Sequence, residues 1–307
     1  RPFAAASIGQ VHRGVSKSGR DLAIKVQYPG VARSIDSDVD NVATLLKISN
    51  LLPRHIDLGP ILAEAKVQLQ QEADYAREGA MLTRFGKLLA DDDRFSVPRR
   101  YAPLSGPNVL AMDYIPGVPI DTLGGLPQAT RDHIAHTLCE LVLRELFEFG
   151  LMQTDPNFAN YHYDEGTGRI ILLDFGATRE IPPAIADGYR ALLSSALNQD
   201  KAGIRTAMEE LGLAAPRAFE QHPQEMDRIV ASLLELFAQQ GPTDFTDRTR
   251  SAAIRDEAML VAADRANWII PPADALFIQR KLGGTFLLAA QLGARLDVRA
   301  LVGRFVG

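Results

Sequence analysis

The chain has 307 residues, 46% of them apolar, and its 33 basic and 38 acidic side chains are interspersed. That apolar fraction can bury a full core in two lobes or domains, and the formal charge of −5 gives no basic footprint for nucleic acid. The single Cys139 excludes an intramolecular disulfide framework and fits a reducing compartment; its apolar helical setting predicts a buried small hydrophobe. No apolar run reaches the roughly 18 residues that span a bilayer. His133 and His136 sit at i, i+3 without a third zinc ligand in view. The chain opens on Arg1-Pro2-Phe3 without an initiator Met or visible signal peptide, and is expected to be a fragment.

Ala4–His12 and Asp21–Tyr28 read as strand, turn, strand, turn, strand, with turn chemistry at Ser16–Arg20. Aligned on Val11, the phosphate-covering pattern G-x-G-x-x-G-x-V becomes Ala4-x-Ala6-x-x-Gly9-x-Val11. Glycine in that loop permits positive φ and close backbone approach to phosphates, so Ala4 and Ala6 are expected to stiffen and crowd it. Lys25 follows Val11 by 14 residues, in Leu-Ala-Ile-Lys, where a lysine holding α- and β-phosphates would stand. A lone strand lysine is more often a solvated surface residue; the alanine-rich stretch and the downstream motifs reverse that preference. Nucleotide contacts are therefore expected from Ala4, Ala5, Ala6, Ser7, Gly9, Val11, Ala23 and Lys25.

A helical pattern from Val31 to about Pro53 (Val39, Val42, Leu45, Leu46, Ile48) is an insertion that an ordinary protein kinase lacks. One longer helix is expected from about Leu58 to Leu89. It carries Glu72 and Glu78, which lie about 240° apart on a continuous helix, and spacing does not choose which would pair with Lys25. Arg99–Ala102 and Asn108–Tyr114 read as the remaining strands. The Pro- and Gly-punctuated crossing Tyr114–Pro119 is the expected hinge, with Asp113, Tyr114 and Ile115 meeting an adenine. The reading is an α+β, two-lobed protein-kinase-like fold: an N-terminal lobe over 1–117 with its helical insertion at 31–57, and a helical C-terminal lobe over 118–307.

Thr130–Phe149 is an amphipathic helix with Ile134, Leu138, Leu141, Val142, Leu146 and Phe149 on one side and Gly150 as its stop. It runs into Gln153-Thr-Asp-Pro-Asn-Phe-Ala-Asn160. Two short strands, Tyr161–Asp164 and Arg169–Leu173, then lead through the turn Glu165–Gly168 to Asp174-Phe-Gly176. Asn160 lies five residues and Asp174 nineteen residues after Asp155, the spacing of a catalytic loop and a metal-binding strand end. In such a site the first Asp orients or deprotonates an acceptor, while the Asn and the second Asp hold magnesium on ATP phosphates. A single Asp-Phe-Gly is more often a turn; two motifs in register favour the chemistry. After Gly176 only seven residues precede the next helix, Ala184–Asn198, without the long activation segment and A-P-E that support an extended peptide. That argues for a small or lipid-like substrate, or none in trans. Helical patterns follow at Ala202–Leu211, Glu225–Gln240, Arg250–Ala266 and Ala275–Leu292. The last reads as a core helix, with a membrane- or partner-facing role as the minority alternative.

Four stretches go beyond a generic kinase signal: Ala4–His12, Lys25-Val-Gln-Tyr-Pro-Gly-Val31, Glu72-Ala-Asp-Tyr-x-Arg-Glu78 and Gln153–Asn160. Together they resemble the UbiB-type atypical kinase family, the ubiquinone-biosynthesis proteins with an alanine-rich nucleotide loop. The resemblance covers nearly the whole chain. It implies a two-lobed kinase-like fold with ATP and magnesium, ATPase activity with restrained protein-kinase activity, and support of coenzyme Q or related isoprenoid-lipid metabolism at a membrane. It also implies Lys25 on the phosphates with Glu78 as its partner, Glu72 and Asp74 as an E-x-D motif, and Asp155, Asn160 and Asp174 as the catalytic and metal set. The expected partners are isoprenoid or anionic membrane lipids and ubiquinone-biosynthesis proteins. The expected location is cytoplasmic or the interior of an organelle, peripheral at a membrane. Two family features are missing here: the K-x-G-Q element before the alanine-rich loop, and the membrane-spanning tail of some members. A competing reading is an ATP-gated lipid- or protein-binding module with little phosphotransfer, favoured by Gln153-Thr154 where a kinase has His-Arg. A third, small-molecule phosphotransferase of the aminoglycoside or choline kinase kind, is weakened by the alanine-rich loop and the helical insertion.

Overall fold

The computed structural model describes residues 2–49, 59–246 and 272–307. The expected helix Arg250–Ala266 and the end of the helical insertion lie outside them. By contacts, the chain divides into one unit of residues 1–120 with 159–178 and a second of residues 121–158 with 179–307.

Among the described residues the first unit holds two four-stranded sheets and three α-helices. Strands β1 (Ala4–Ala6), β2 (Gly9–Val15), β3 (Asp21–Gln27) and β5 (Val109–Asp113) form an antiparallel sheet in the order β1-β2-β3-β5. The β2–β3 turn closes as its residue types require, with Gly19 at φ +82° and the Ser16 hydroxyl accepting the Arg20 N–H at 3.0 Å. A second sheet runs β4 (Phe95–Ser96), β9 (Arg169–Leu172), β8 (Tyr161–Asp164), β6 (Val118–Pro119). Its β8–β9 hairpin has the expected strands, which turn through Gly168 at φ +73°.

Helix α1 (Val31–Ser49) lies where a helical pattern is expected, but its buried stripe is Ile35, Val39 and Ala43, at i, i+4 and i+8. Val42 and Leu45, expected in the apolar face, are exposed. The long helix expected from Leu58 to Leu89 is two helices, α2 (Gly59–Glu72) and α3 (Tyr75–Leu88). Asp74 is the reason for the break: its side chain leaves the helical path and accepts the Arg77 N–H at 2.9 Å, capping α3. The strand expected at Arg99–Ala102 is reduced to a bridge between Arg100 and Met112, followed by a 3₁₀ turn at Ala102–Leu104. Pro103 in that turn carries no N–H for a sheet ladder.

The second unit is mostly helical. Helix α4 (Gln128–Arg144) continues as a π turn over Glu145–Phe149, and Gly150 in the left-handed region ends it. The expected one-sided pattern understates its burial: Thr137, Cys139, Glu140 and Leu143 are enclosed along with Ile134, Leu138, Leu141, Val142 and Leu146, while Phe149 is half-buried. Strand β7 (Leu151–Gln153) follows, and α5 (Pro183–Leu197), α6 (Lys201–Glu210), α7 (Pro216–Gln221) and α8 (Pro223–Ala238) surround this centre. Helix α9 (Ala273–Gln291) buries Ala275, Phe277, Ile278, Lys281, Leu288 and Ala289, while Leu287, expected in the core, is exposed and Leu282 and Phe286 are half-buried; α10 (Val298–Val306) follows. Cys139 is buried with its thiol pKa pushed up to about 12, which leaves it a small hydrophobe as expected. Among the described residues no helix is long and apolar enough to cross a membrane.

Candidate active site

The alanine-rich stretch is a strand. Ala4, Ala5 and Ala6 pair with Val11, Gln10 and Gly9, leaving Ser7-Ile8 as the turn. Among the described residues only Gln199 is a non-glycine with positive φ. Ala4 and Ala6, expected to stiffen and crowd this stretch, lie on an extended backbone that needs no positive φ. Gly9 is different. An added Cβ there would lie 2.4 Å from the Val26 carbonyl oxygen and 2.7 Å from the Tyr75 hydroxyl. Its missing side chain serves close packing of β2 against β3 and α3.

Antiparallel pairing puts directly opposed residues on one face, and alternation keeps i and i+2 together. Val11 opposes Ala4 and Lys25, while Gly9 opposes Ala6. Ala4, Ala6, Gly9, Val11, Ala23 and Lys25 thus share a face, as a nucleotide-covering sheet requires. Ala5 and Ser7 do not belong to it, since Ala5 alternates away and Ser7 begins the turn.

Lys25 lies at the centre of this unit. Its Nζ donates to Glu78 Oε1 at 2.7 Å and to Asp174 Oδ2 at 2.9 Å. Of the two glutamates left open by spacing, Glu78 is the partner. The angle expected for one continuous helix does not apply, because the break at Ala73–Asp74 separates Glu72 from α3. The cap at Asp74 starts α3 one turn before Glu78, so Asp74 acts here through backbone geometry. Phe175 stacks at a tilt on Phe85 of α3, 4.9 Å between ring centroids, anchoring the residue after Asp174 in the core. The Asp174 Oδ1 accepts the Gly176 N–H at 2.9 Å.

The side chains of Lys25 and Glu78 are 7% and 2% exposed, and that of Asp174 is 35% exposed. Burial pushes the Glu78 carboxyl up to about 6, aided by the charge of Asp174 and opposed by Lys25 and the Phe175 N–H. Burial would also raise Asp174 and lower Lys25. In each case the opposite charge outweighs it, so Asp174 stays below the usual carboxylate range and Lys25 stays firmly protonated. The cluster is an ion triad with one carboxylate edge open.

Asn160 is buried at the start of β8, and its carbonyl accepts the Leu173 N–H at 3.0 Å. That bond sets Asn160 beside the residue preceding Asp174. An amide and a carboxylate at these strand ends are hard-oxygen donors of the kind that would hold magnesium, which also takes oxygens from substrate phosphates. Asp155 belongs to the second unit, on the loop after β7, where its Oδ1 accepts the Asn157 N–H at 3.3 Å. At the expected hinge, the Asp113 carboxylate is held by Arg20 at 2.8 Å and Arg99 at 3.0 Å. The Tyr114 ring packs on Phe3 and the Arg13 guanidinium. The N–H groups of Asp113 and Tyr114 donate to Arg99 and Asp21 carbonyls.

Two residues escaped sequence reasoning. Arg77 donates to the Gly176 carbonyl at 2.8 Å and also to that of Thr178, holding the backbone after Asp-Phe-Gly to α3. Tyr75, 2% exposed, sits with its ring 5.7 Å from Lys25 Nζ. Both lie in the Glu72–Glu78 stretch that carries the family resemblance, but a helical Arg beside a Glu reads as a solvated charge, so spacing assigned Arg77 no role.

A family model described as the ABC1 atypical kinase-like domain matches residues 1–208. The chain belongs to the ABC1 atypical kinase-like family. Its similarity to UbiB-type atypical kinases is thereby borne out. This ABC1-family chain is 40% identical over 300 residues to atypical kinase COQ8B, mitochondrial, of Rattus norvegicus, covering 98% of this chain and 56% of that protein. It is 37% identical over 297 residues to atypical kinase COQ8, mitochondrial, of Saccharomyces cerevisiae, covering 95% and 58% respectively. The ABC1-family chain spans about half the length of the curated relatives it matches. The solved complex of Rv3197 with erythromycin from Mycobacterium tuberculosis is similar at a TM-score of 0.75 and 25% identity, over 100% of this chain and 76% of that one. The α+β, two-lobed protein-kinase-like fold expected from the sequence is the fold of this family member.

Proposed function

We propose that this ABC1-family chain binds ATP with magnesium and turns it over as an atypical kinase or ATPase, supporting ubiquinone biosynthesis at a membrane. The observation that carries the proposal is the Lys25–Glu78–Asp174 triad: a buried, permanently charged ammonium fixed between two carboxylates, one of them partly exposed. Glu78 orients Lys25 toward the α- and β-phosphates, and Ile115 at the hinge meets the adenine. Asn160 and Asp174 would hold magnesium, which when bound neutralises phosphate charge. Asp155 orients the acceptor, either water or a lipid-like hydroxyl. Glu72 and Asp74 serve as the E-x-D motif, with Asp74 acting by starting the helix that carries Glu78.

The ubiquinone role, with isoprenoid or anionic lipids and ubiquinone-biosynthesis proteins as partners, rests on likeness to the UbiB-type kinases. The site then works in the cytoplasm or an organelle's interior, peripheral at a membrane. The short segment after Asp-Phe-Gly supports a non-peptide acceptor.

Magnesium-dependent ATP turnover, with and without anionic-lipid vesicles, tests the reading beside an Asp174→Asn control. Turnover that rises with lipid and disappears in the control is expected. Equal turnover in the control would refute the assigned chemistry; nucleotide binding without any turnover would favour an ATP-gated module.

A further inference from the structure

Two lysines are buried among the described residues, Lys25 and Lys281, and only the first belongs to the triad. Lys281 lies on α9 in the second unit, with its side chain and that of Glu145 each 1% exposed. Its Nζ donates to Gln153 Oε1 at 3.0 Å and stands 4.0 Å from Glu145 Oε2. Glu145 opens the π turn at the end of α4, and its Oε1 accepts the Gln153 N–H at 3.4 Å. The two charged groups therefore grip Gln153 by side chain and backbone. Gln153 ends β7, two residues before Asp155. One turn further along α9, an added Cβ at Gly284 would fall 2.1 Å from the Pro156 Cβ. Helix α9 thus holds the Asp155 loop on both sides, by a charged hydrogen bond before it and backbone contact after it.

Stability does not account for this arrangement. A buried ammonium beside a carboxyl that burial pushes up to about 7 is costly to desolvate, and apolar residues of like volume commonly serve a core as well or better. π turns are themselves concentrated at functional sites, since the extra residue re-aims a side chain.

We propose that Lys281 is a positioning residue for Asp155, fixing the loop through Gln153 against the counter-charge of Glu145. The proposal rests on the reading that Asp155 acts in phosphoryl transfer. Reacting groups misplaced by about 1 Å lose rate on the order of a hundredfold, so a loosened loop lowers kcat while the nucleotide contacts of Lys25 and Asp174 stand.

The test uses the full chain with Lys281→Met, which removes charge and donor at similar length, and with Lys281→Met/Glu145→Gln, which also removes the stranded carboxylate. Melting temperature, Mg-ATP affinity, ATP turnover and hydrogen exchange of the amides of residues 153, 154, 155 and 157 are read for each, beside Asp155→Asn. The single variant melts well below wild type. The double variant recovers most of that loss and keeps wild-type nucleotide affinity, yet shows roughly tenfold or lower kcat and at least tenfold faster exchange in the loop. A double variant with wild-type loop exchange would overturn the proposal, whatever the turnover. So would faster loop exchange with wild-type kcat. If wild type and Asp155→Asn turn over alike, the phosphoryl-transfer reading fails, and loop exchange still decides whether Lys281 positions the loop.

Discussion

Replacing Lys25 with Met leaves Glu78 buried beside the partly exposed Asp174 with no cation between them. Breaking a buried ion pair by deleting one partner costs about 3–5 kcal/mol, because the remaining charge is stranded. Here the cost has an escape route that depends on pH. In the intact triad Glu78 titrates at about 6, above its ordinary 4.5, with Lys25 the largest influence pulling it down. Without Lys25 its folded pKa rises further. A carboxyl raised in the folded state loses stability as pH climbs from its unfolded toward its folded value, so the variant keeps losing stability above pH 6 where wild type has stopped. The slope is about 1.4 kcal/mol per pH unit, or roughly 2 kcal/mol between pH 6 and 7.5. In wild type the pKa of Lys25 is raised and that of Asp174 is lowered by their mutual charge, so neither adds slope in this range there. Chemical denaturation at pH 5.5, 6.5 and 7.5 should show a defect that grows with pH in Lys25→Met and is flat in Lys25→Met/Glu78→Gln. A defect equal at all three pH values, or a slope that survives in the double variant, would refute the electrostatic account.

Gly9→Ala should destabilise by about 1–3 kcal/mol, since the new methyl meets the Val26 backbone carbonyl and a buried Tyr75 hydroxyl; an unchanged melting temperature would mean the hairpin has room. Asp74→Ala should cost about 1 kcal/mol by uncapping α3, while Asp74→Asn, which can accept the same Arg77 N–H, should cost little in denaturant titration; equal losses would show that charge rather than capping matters at this position.

Much of this protein was legible in order along the chain. Turn residues and period-two alternation located β2, β3, β8 and β9, and the stop at Gly150 follows from its freedom to adopt positive φ. Lys25, Asp155, Asn160 and Asp174 could be singled out as candidates because the proposed phosphoryl transfer demands those residue types at near-fixed spacing. Local sequence also held the signal for the break at Asp74, an N-cap residue ahead of Glu78, but continuous helical periodicity on both sides obscured it.

Tertiary structure decided the rest. Which glutamate meets Lys25 depends on where a capped helix lies against a sheet, and periodicity describes only one element at a time. That Gly9 must stay bare is set by the distance to Val26 and Tyr75 on other elements. Arg77 and Lys281 look like ordinary helical charges in the sequence. They are bound to backbone carbonyls in one case and to Gln153 beside Glu145 in the other. A charge shows its cost only once water is removed from around it, and the packing of the whole unit determines which charges are enclosed.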